Sequence, residues 1–338
     1  MNKTIKTIIF AAAVALFASA FAASKKSIVC VIYPQYDWTM SILGSKASIF
    51  SVTLLQSNGT DLHSYQPSVK DMAKISTCDL LIFVGGESDE WMEKAVKTAT
   101  NKNMLVVNMM EALGDKVKEE EIVEGMQAEE EEEEDEHEHE HADHDDDHGH
   151  DGHHHHHDEV EYDEHVWLSL KNAAILVDDI CKKIQELDPA NAAVYKANAA
   201  AYSKQLLDLD AQYKDAVGAA AKKTILFGDR FPFRYLADDY NLKYYAAFVG
   251  CSAESEASFE TVIFLAKKVD QLGLNAVLTI EKSDKKIAKT IVSNTKNKSA
   301  EILEMDSLQS ITQKDIKDGK NYLLTMKKNL EVLKKALR

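Results

Sequence analysis

From Ser27 onward the sequence sets out one arrangement twice, short β-branched runs alternating with amphipathic helical stretches, and this is the pattern of parallel βαβ units. In the first half, strands are predicted at Ser27–Ile32, Phe50–Leu54, Leu80–Val84 and Leu105–Val107, with helices over Asp37–Leu43 and Val69–Ile75. In the second half, strands are predicted at Thr224–Phe227, Tyr244–Ala246, Ala276–Thr279 and Ile302–Met305, with helices near Phe259–Leu272, Lys285–Asn294 and Asp318–Leu337. Between the halves, one helical run from near Leu168 stops at Pro189, and a second from about Ala190 to Ala219 is rich in Ala, Leu and Lys. Roughly 30 residues at 1.5 Å each make the second a rod of about 45 Å. The expected fold class is α/β, with two lobes, each a mainly parallel sheet flanked by helices, joined by one long rigid helix. The expected boundaries are 23–187 for the first lobe, 188–220 for the joining helix and 221–338 for the second lobe.

Residues 1–22 read as a secretory signal peptide. Lys3 and Lys6 precede an apolar stretch from Ile8, which ends in the small-residue site Ala20-Phe21-Ala22. The apolar run is shorter than the roughly 20 residues of a spanning helix. No cysteine follows it directly, since Cys30 lies inside the apolar run SIVCVIY, so a soluble protein of the extracytoplasmic or periplasmic space is expected. Four cysteines (Cys30, Cys78, Cys181 and Cys251) allow three pairings, and no CxxC spacing marks a zinc knuckle or redox site. Free buried thiols are at least as well supported, and no function is assigned to any of the four.

The net charge of −17 belongs to one segment. Between Glu129 and Glu159 stand 17 Asp and Glu with no Lys or Arg, and the rest of the chain holds 39 acidic against 39 basic residues. That balance excludes any electrostatic case for nucleic acid or an anionic membrane. The same segment, within an expected loop over 128–159, holds eleven of the 13 histidines: His137, His139, His141, His144, His148, His150, His153, His154, His155, His156 and His157. A solvated acidic linker explains the carboxylates but not the imidazoles. Both groups suit zinc, nickel or copper, so a tract with few apolar residues is expected to stay unfolded and gather such ions at low affinity.

His63, in SNGTDLHSYQPS after the second strand, and His165, in DEHVWLSL before a helix, are the two histidines outside the tract. Alone, each is better explained as a satisfied polar or core group; as the pair left over beside a metal-gathering tract they are candidate ligands. The motifs NGTDLHSYQPS, followed by Asp71 and CDLLIFVGG, and DEHVWLS resemble the two metal-binding motifs of ZnuA/TroA-type solute-binding proteins. The resemblance runs from YPQYDW (Tyr33–Trp38) to YLLTMKKNLEVLKKAL, and an acidic His-rich insertion recurs in the zinc members of that family.

The resemblance implies the solute-binding component of an ABC importer, which captures Zn2+ between two lobes and hands it to a membrane permease. Mn2+ or iron is the second expectation for the cargo, a monomer is expected, and catalysis is not. The family takes a third ligand, His or Glu, after the first strand of the second lobe, and a fourth carboxylate after the last. Here the third position falls in LFGDRFPFRYL, which has no histidine. Asp229 is the candidate, although spacing back from Tyr235 points instead to Arg230, which cannot bind a cation. The fourth position falls on Asp306 in LEMDSL, with Glu281 in LTIEKS as second choice; for both acids a surface carboxylate is the plain alternative. His63, Asp229 and Asp306 would then follow strands, where open α/β sheets place their crevice. A tract histidine swinging in is the other possible third imidazole. A zinc hydrolase built on His63 and His165 is the alternative from another class, but HExxH, GxSxG and P-loop motifs are all missing. A surface adhesin on the same fold is the third.

Overall fold

The computed structural model describes residues 25–127, 161–252 and 256–338. The expected signal peptide and the acidic His-rich tract lie outside the described residues. Among the described residues no helix is long and apolar enough to cross a membrane.

The first sheet holds β1 (Lys26–Cys30), β2 (Phe50–Leu54), β3 (Leu80–Phe83) and β4 (Leu105–Asn108), all parallel in the order β2-β1-β3-β4. Its helices are α1 (Tyr33–Leu43), α2 (Val69–Thr77), α3 (Glu90–Thr98), α4 (Met109–Leu113) and α5 (Leu170–Leu187). The spine α6 covers Ala192–Ala219. The second sheet repeats the plan with β5 (Thr224–Phe231), β6 (Lys243–Val249), β7 (Ala276–Ile280) and β8 (Glu301–Met305), parallel in the order β6-β5-β7-β8. Around it lie α7 (Arg234–Asp239), α8 (Phe259–Leu272), α9 (Lys286–Ser293), α10 (Gln313–Lys317) and α11 (Tyr322–Ala336).

Local chemistry sets these elements. The inner strands β3 (LLIF) and β7 (AVLTI) are buried at every position, as strands covered by helices on both faces must be. Ser68 caps α2 by accepting the Asp71 amide, and Ser169 and Ser258 do the same for α5 and α8. The final helix starts at Tyr322, four residues after the predicted start, because Gly319 turns the chain at φ 86° and Asn321 caps the new helix by accepting the Leu324 amide. Along α6, Tyr195, Ala199, Tyr202, Leu206, Leu209, Tyr213 and Val217 are buried at three- and four-residue steps, which makes one stripe down the helix. With 28 residues, α6 is about 42 Å long. It is tied to both lobes: Tyr202 donates to the Asp37 carboxylate (3.0 Å) in α1, and Tyr213 donates to the Met326 carbonyl (2.6 Å) in α11.

Beyond the spine, the two sheets meet along a seam. Gly59 N–H donates to Ile311 O (3.0 Å) and Gln313 N–H to Ser57 O (2.9 Å). Trp167, with no exposed surface, donates from its indole to Ser307 O (2.8 Å) and accepts on its own carbonyl from the Tyr322 hydroxyl (2.6 Å). After the first sheet, residues 117–127 cross to the second. Gln127 N–H donates to Ala247 O in β6 (3.0 Å), and Glu119 bridges to Tyr162 where the described chain resumes.

Candidate metal centre at the interlobe seam

His63 sits on a short turn, Leu62–Ser64, directly after the first-sheet strand β2 and its loop. Asp61 caps that turn, accepting the His63 amide at 3.1 Å. His165 precedes the turn Val166–Leu168 that leads into α5. Asp163 fixes it twice, accepting from the His165 amide (2.8 Å) and pairing with ring Nδ1 (3.0 Å).

The two rings meet. His63 Nδ1 is 2.8 Å from Ser88 Oγ and 3.6 Å from Glu164 Oε2, and His165 Nδ1 is taken by Asp163, so each ring is anchored by one nitrogen. The free nitrogens converge: Nε2 to Nε2 is 3.2 Å. Two imidazoles on one tetrahedral zinc, each about 2.05 Å from it, would sit roughly 3.3 Å apart, so the pair is already at ligand spacing. Outer hydrogen bonds to the second nitrogen are the usual way in which a protein fixes the tautomer of a metal-binding histidine.

Electrostatics favour a cation here. Burial, then the neighbouring His165, hold His63 well below its ordinary pKa, so its ring is neutral with a free lone pair. Burial pulls His165 the same way, but the Asp163 carboxylate outweighs it and the net shift is upward. Glu164 is pushed up to about 7, chiefly by burial and against the pull of its bonds to Ser88. Asp163 and Glu164 are 1% and 2% exposed, and one oxygen of Glu164 has no hydrogen-bond partner. A bound divalent ion would compensate this crowd of buried acids.

Asp229 lines a cleft of about 490 Å³ together with His63 and Glu281. It lies inside β5 rather than after it, because that strand runs to Phe231 past a register shift between Phe227 and Arg230. One Asp229 oxygen accepts the Arg230 amide (2.9 Å) and the other is buried without a partner. Arg230 crosses the seam to Asp61 (2.8 Å) and also donates to Ser252 O (3.2 Å). Glu281 spends both oxygens on the turn after β8, accepting from the Ser307 amide and hydroxyl and from the Gln309 amide. The structure does not bring Asp306 to the imidazoles. It faces a separate hollow, pairs with Lys320 and accepts the Leu308 amide (2.9 Å), because the chain turns away at Leu308 (φ 65°).

Among the described residues, the group whose donor atoms converge within metal-holding distance is His63, His165 and Cys251, all within 4.8 Å of one another. Cys251 was not singled out in the sequence. Its signal was a chemistry-bearing side chain directly after the second-lobe strand β6, preceded by glycine. A Cβ on Gly250 would sit 2.9 Å from Phe231 O and 3.0 Å from His165 Cε1, so only glycine lets the chain pass this close to the ring. All four cysteines are free thiols; Cys30, Cys78 and Cys181 are buried and Cys251 is partly exposed.

Asp61 is held below its ordinary pKa because Arg230 and His63 outweigh burial, so Arg230→Ala strands a largely buried carboxylate. The expected loss is about 2 kcal/mol in urea unfolding at neutral pH. Asp89, 2% exposed, accepts from the Val84 (2.8 Å) and Gly85 (3.3 Å) amides, yet burial pushes its carboxyl from 3.8 up to about 6. A raised folded pKa means stability that is complete below about pH 4 and lost as pH rises through about 6. Asp89→Asn is therefore expected to unfold at higher urea than the parent at pH 7.5, by about 2 kcal/mol, with the gain vanishing near pH 4.

Two matched parallel-sheet lobes, a helical spine anchored in both and a donor cluster at the seam put the chain in the class of two-lobed α/β solute-binding proteins. The sequence matches the family described as "Zinc-uptake complex component A periplasmic" over residues 28–336, and the chain belongs to that family. It is 28% identical over 325 residues to the zinc-binding protein AdcA of Streptococcus pyogenes serotype M1, which covers 93% of this chain and 56% of AdcA. It is 29% identical over 313 residues to the high-affinity zinc uptake system protein ZnuA of Bacillus subtilis, covering 93% of this chain and 88% of ZnuA. The chain thus spans just over half the length of the AdcA relatives it matches. The crystal structure of the Zn(II)-bound ZnuA-like domain of Streptococcus pneumoniae AdcA superposes with a TM-score of 0.68 at 27% identity, over 93% of this chain and 99% of that one.

Proposed function

We propose that this protein is the zinc-capturing component of an ABC-type importer: it takes Zn2+ at the seam on His63 and His165 and passes it to a membrane permease outside the cytoplasm. One observation carries the reading, the two Nε2 atoms 3.2 Å apart with each opposite nitrogen tied down. Membership of a zinc-uptake family supports the cargo, and the relatives' printed names concern zinc. Manganese is the second cargo. The chain acts as a carrier, as a monomer, and not as a catalyst. Its spine limits hinge opening, so release depends on the permease rather than on wide separation of the lobes.

The tract from Glu129 to His157 gathers zinc loosely and raises its local supply. Deleting it is expected to leave one tight site intact and to lower total zinc capacity, as counted by equilibrium dialysis. Loss of the tight site on deletion would instead make a tract histidine part of the coordination.

A further inference from the structure

We infer that Cys251 supplies the third protein ligand, so that the cargo site is two imidazoles and one thiolate. This rests on the reading of His63 and His165 as the zinc-binding pair. Where the family places a histidine or glutamate, this chain offers Asp229, which keeps one buried oxygen unpartnered but is not among the donors that converge with the two imidazoles, or Arg230, which is committed to Asp61. The gap is filled from the adjacent strand of the same sheet. β6 pairs with β5 through Phe231 and Val249, and two residues on, the chain passes the His165 ring at Gly250 and delivers Sγ to both imidazoles. The Cys251 amide is held by the Glu120 carboxylate (3.1 Å), and its carbonyl neighbour Ser252 by Arg230 (3.2 Å). The loop is therefore fixed at both peptide positions, by groups that belong to different parts of the chain.

The consequence is specificity. Two histidines with carboxylates would be a comparatively hard set open to manganese, whereas replacing a carboxylate by sulfur softens the site toward zinc. On binding, sulfur joins the ion as thiolate and its proton passes to solvent; no oxidant or reductant is involved.

The test loads the full-length metal-free chain with one equivalent of Co2+ and reads the near-ultraviolet sulfur-to-cobalt charge-transfer band, beside zinc and manganese competition titrations of the parent and Cys251→Ser. The acidic His-rich tract contains no cysteine and the other three thiols are buried in the cores, so a band reports Cys251. The expected result is a band in the parent that is missing in Cys251→Ser. Zinc affinity should fall by about a thousandfold, beyond the roughly 10- to 100-fold that an outer-sphere change costs, while manganese affinity changes little. Zinc should also shield Cys251 from alkylation in the parent, a readout that does not depend on how the variant folds. Tight zinc binding with no band, equal affinity in Cys251→Ser and unshielded alkylation would overturn the thiolate while leaving the histidine pair standing. Absence of any tight zinc site in the parent would overturn the underlying reading.

Discussion

His165→Ala is expected to abolish the tight zinc site and leave only the loose, multi-ion uptake of the acidic tract. His165 has no exposed surface and its ring is held by Asp163 on one nitrogen and meets His63 on the other. Structural zinc sites hold their ion with an apparent 10–16 kcal/mol over four ligands, so one ligand carries about 3 kcal/mol, or roughly a hundred- to a thousandfold in affinity. The alanine also leaves Asp163 and Glu164 buried with less compensation, so the folded apo protein should lose stability as well. Competitive titration against a chromophoric chelator reads the first effect and urea unfolding the second. A His165→Ala chain that still takes one equivalent of zinc at parental affinity would mean the seam is not the site.

Trp167→Ala is expected to lower the stability of the metal-free protein by about 4 kcal/mol. The indole is wholly buried, its Nε1 donates across the seam to Ser307 O, and its carbonyl receives the Tyr322 hydroxyl. Tyr322 in turn packs edge-on against Trp38 of the first lobe, with centroids 5.2 Å apart. Removing the ring opens a cavity and leaves a buried carbonyl unpaired. Because Trp167 also lies 5.2 Å from the His165 ring, zinc affinity should fall along with stability. Thermal and urea unfolding of the apo variant measure the first loss. A change under about 1 kcal/mol would show that the lobes are held together elsewhere.

Much of the fold was legible because burial writes itself into periodicity. The inner strands β3 and β7 are covered on both faces and read as continuous apolar runs, and β2 and α8 match the predicted Phe50–Leu54 and Phe259–Leu272. The spine was legible through helix-forming composition bounded by Pro189. Short elements were not: α3 (EWMEKAVKT) buries only Met92 and Ala95, and α4, α7 and α10 are five or six residues long, too short for a periodic signal.

His63 and His165, which the structure brings together, were legible as a pair because they are the two histidines outside the tract and each lies in one of the two motifs that carry the family resemblance. The acids were not, since a carboxylate after a strand looks the same whether it faces an ion, a lysine or a row of amides. Asp306 meets Lys320 and Glu281 meets the Ser307–Ser310 turn, contacts set by loop paths that no local pattern encodes. Cys251 escaped because its role depends on β6 lying beside β5, which is a property of sheet order, not of spacing.

The measurement closest to the central claim is calorimetric titration of the metal-free chain with zinc and with manganese, beside the double variant His63→Ala/His165→Ala. The account predicts one tight zinc site per chain in the parent, weaker binding of manganese, and only loose zinc uptake in the double variant. A tight zinc site surviving in the double variant would contradict it and move the function into the histidine-rich tract.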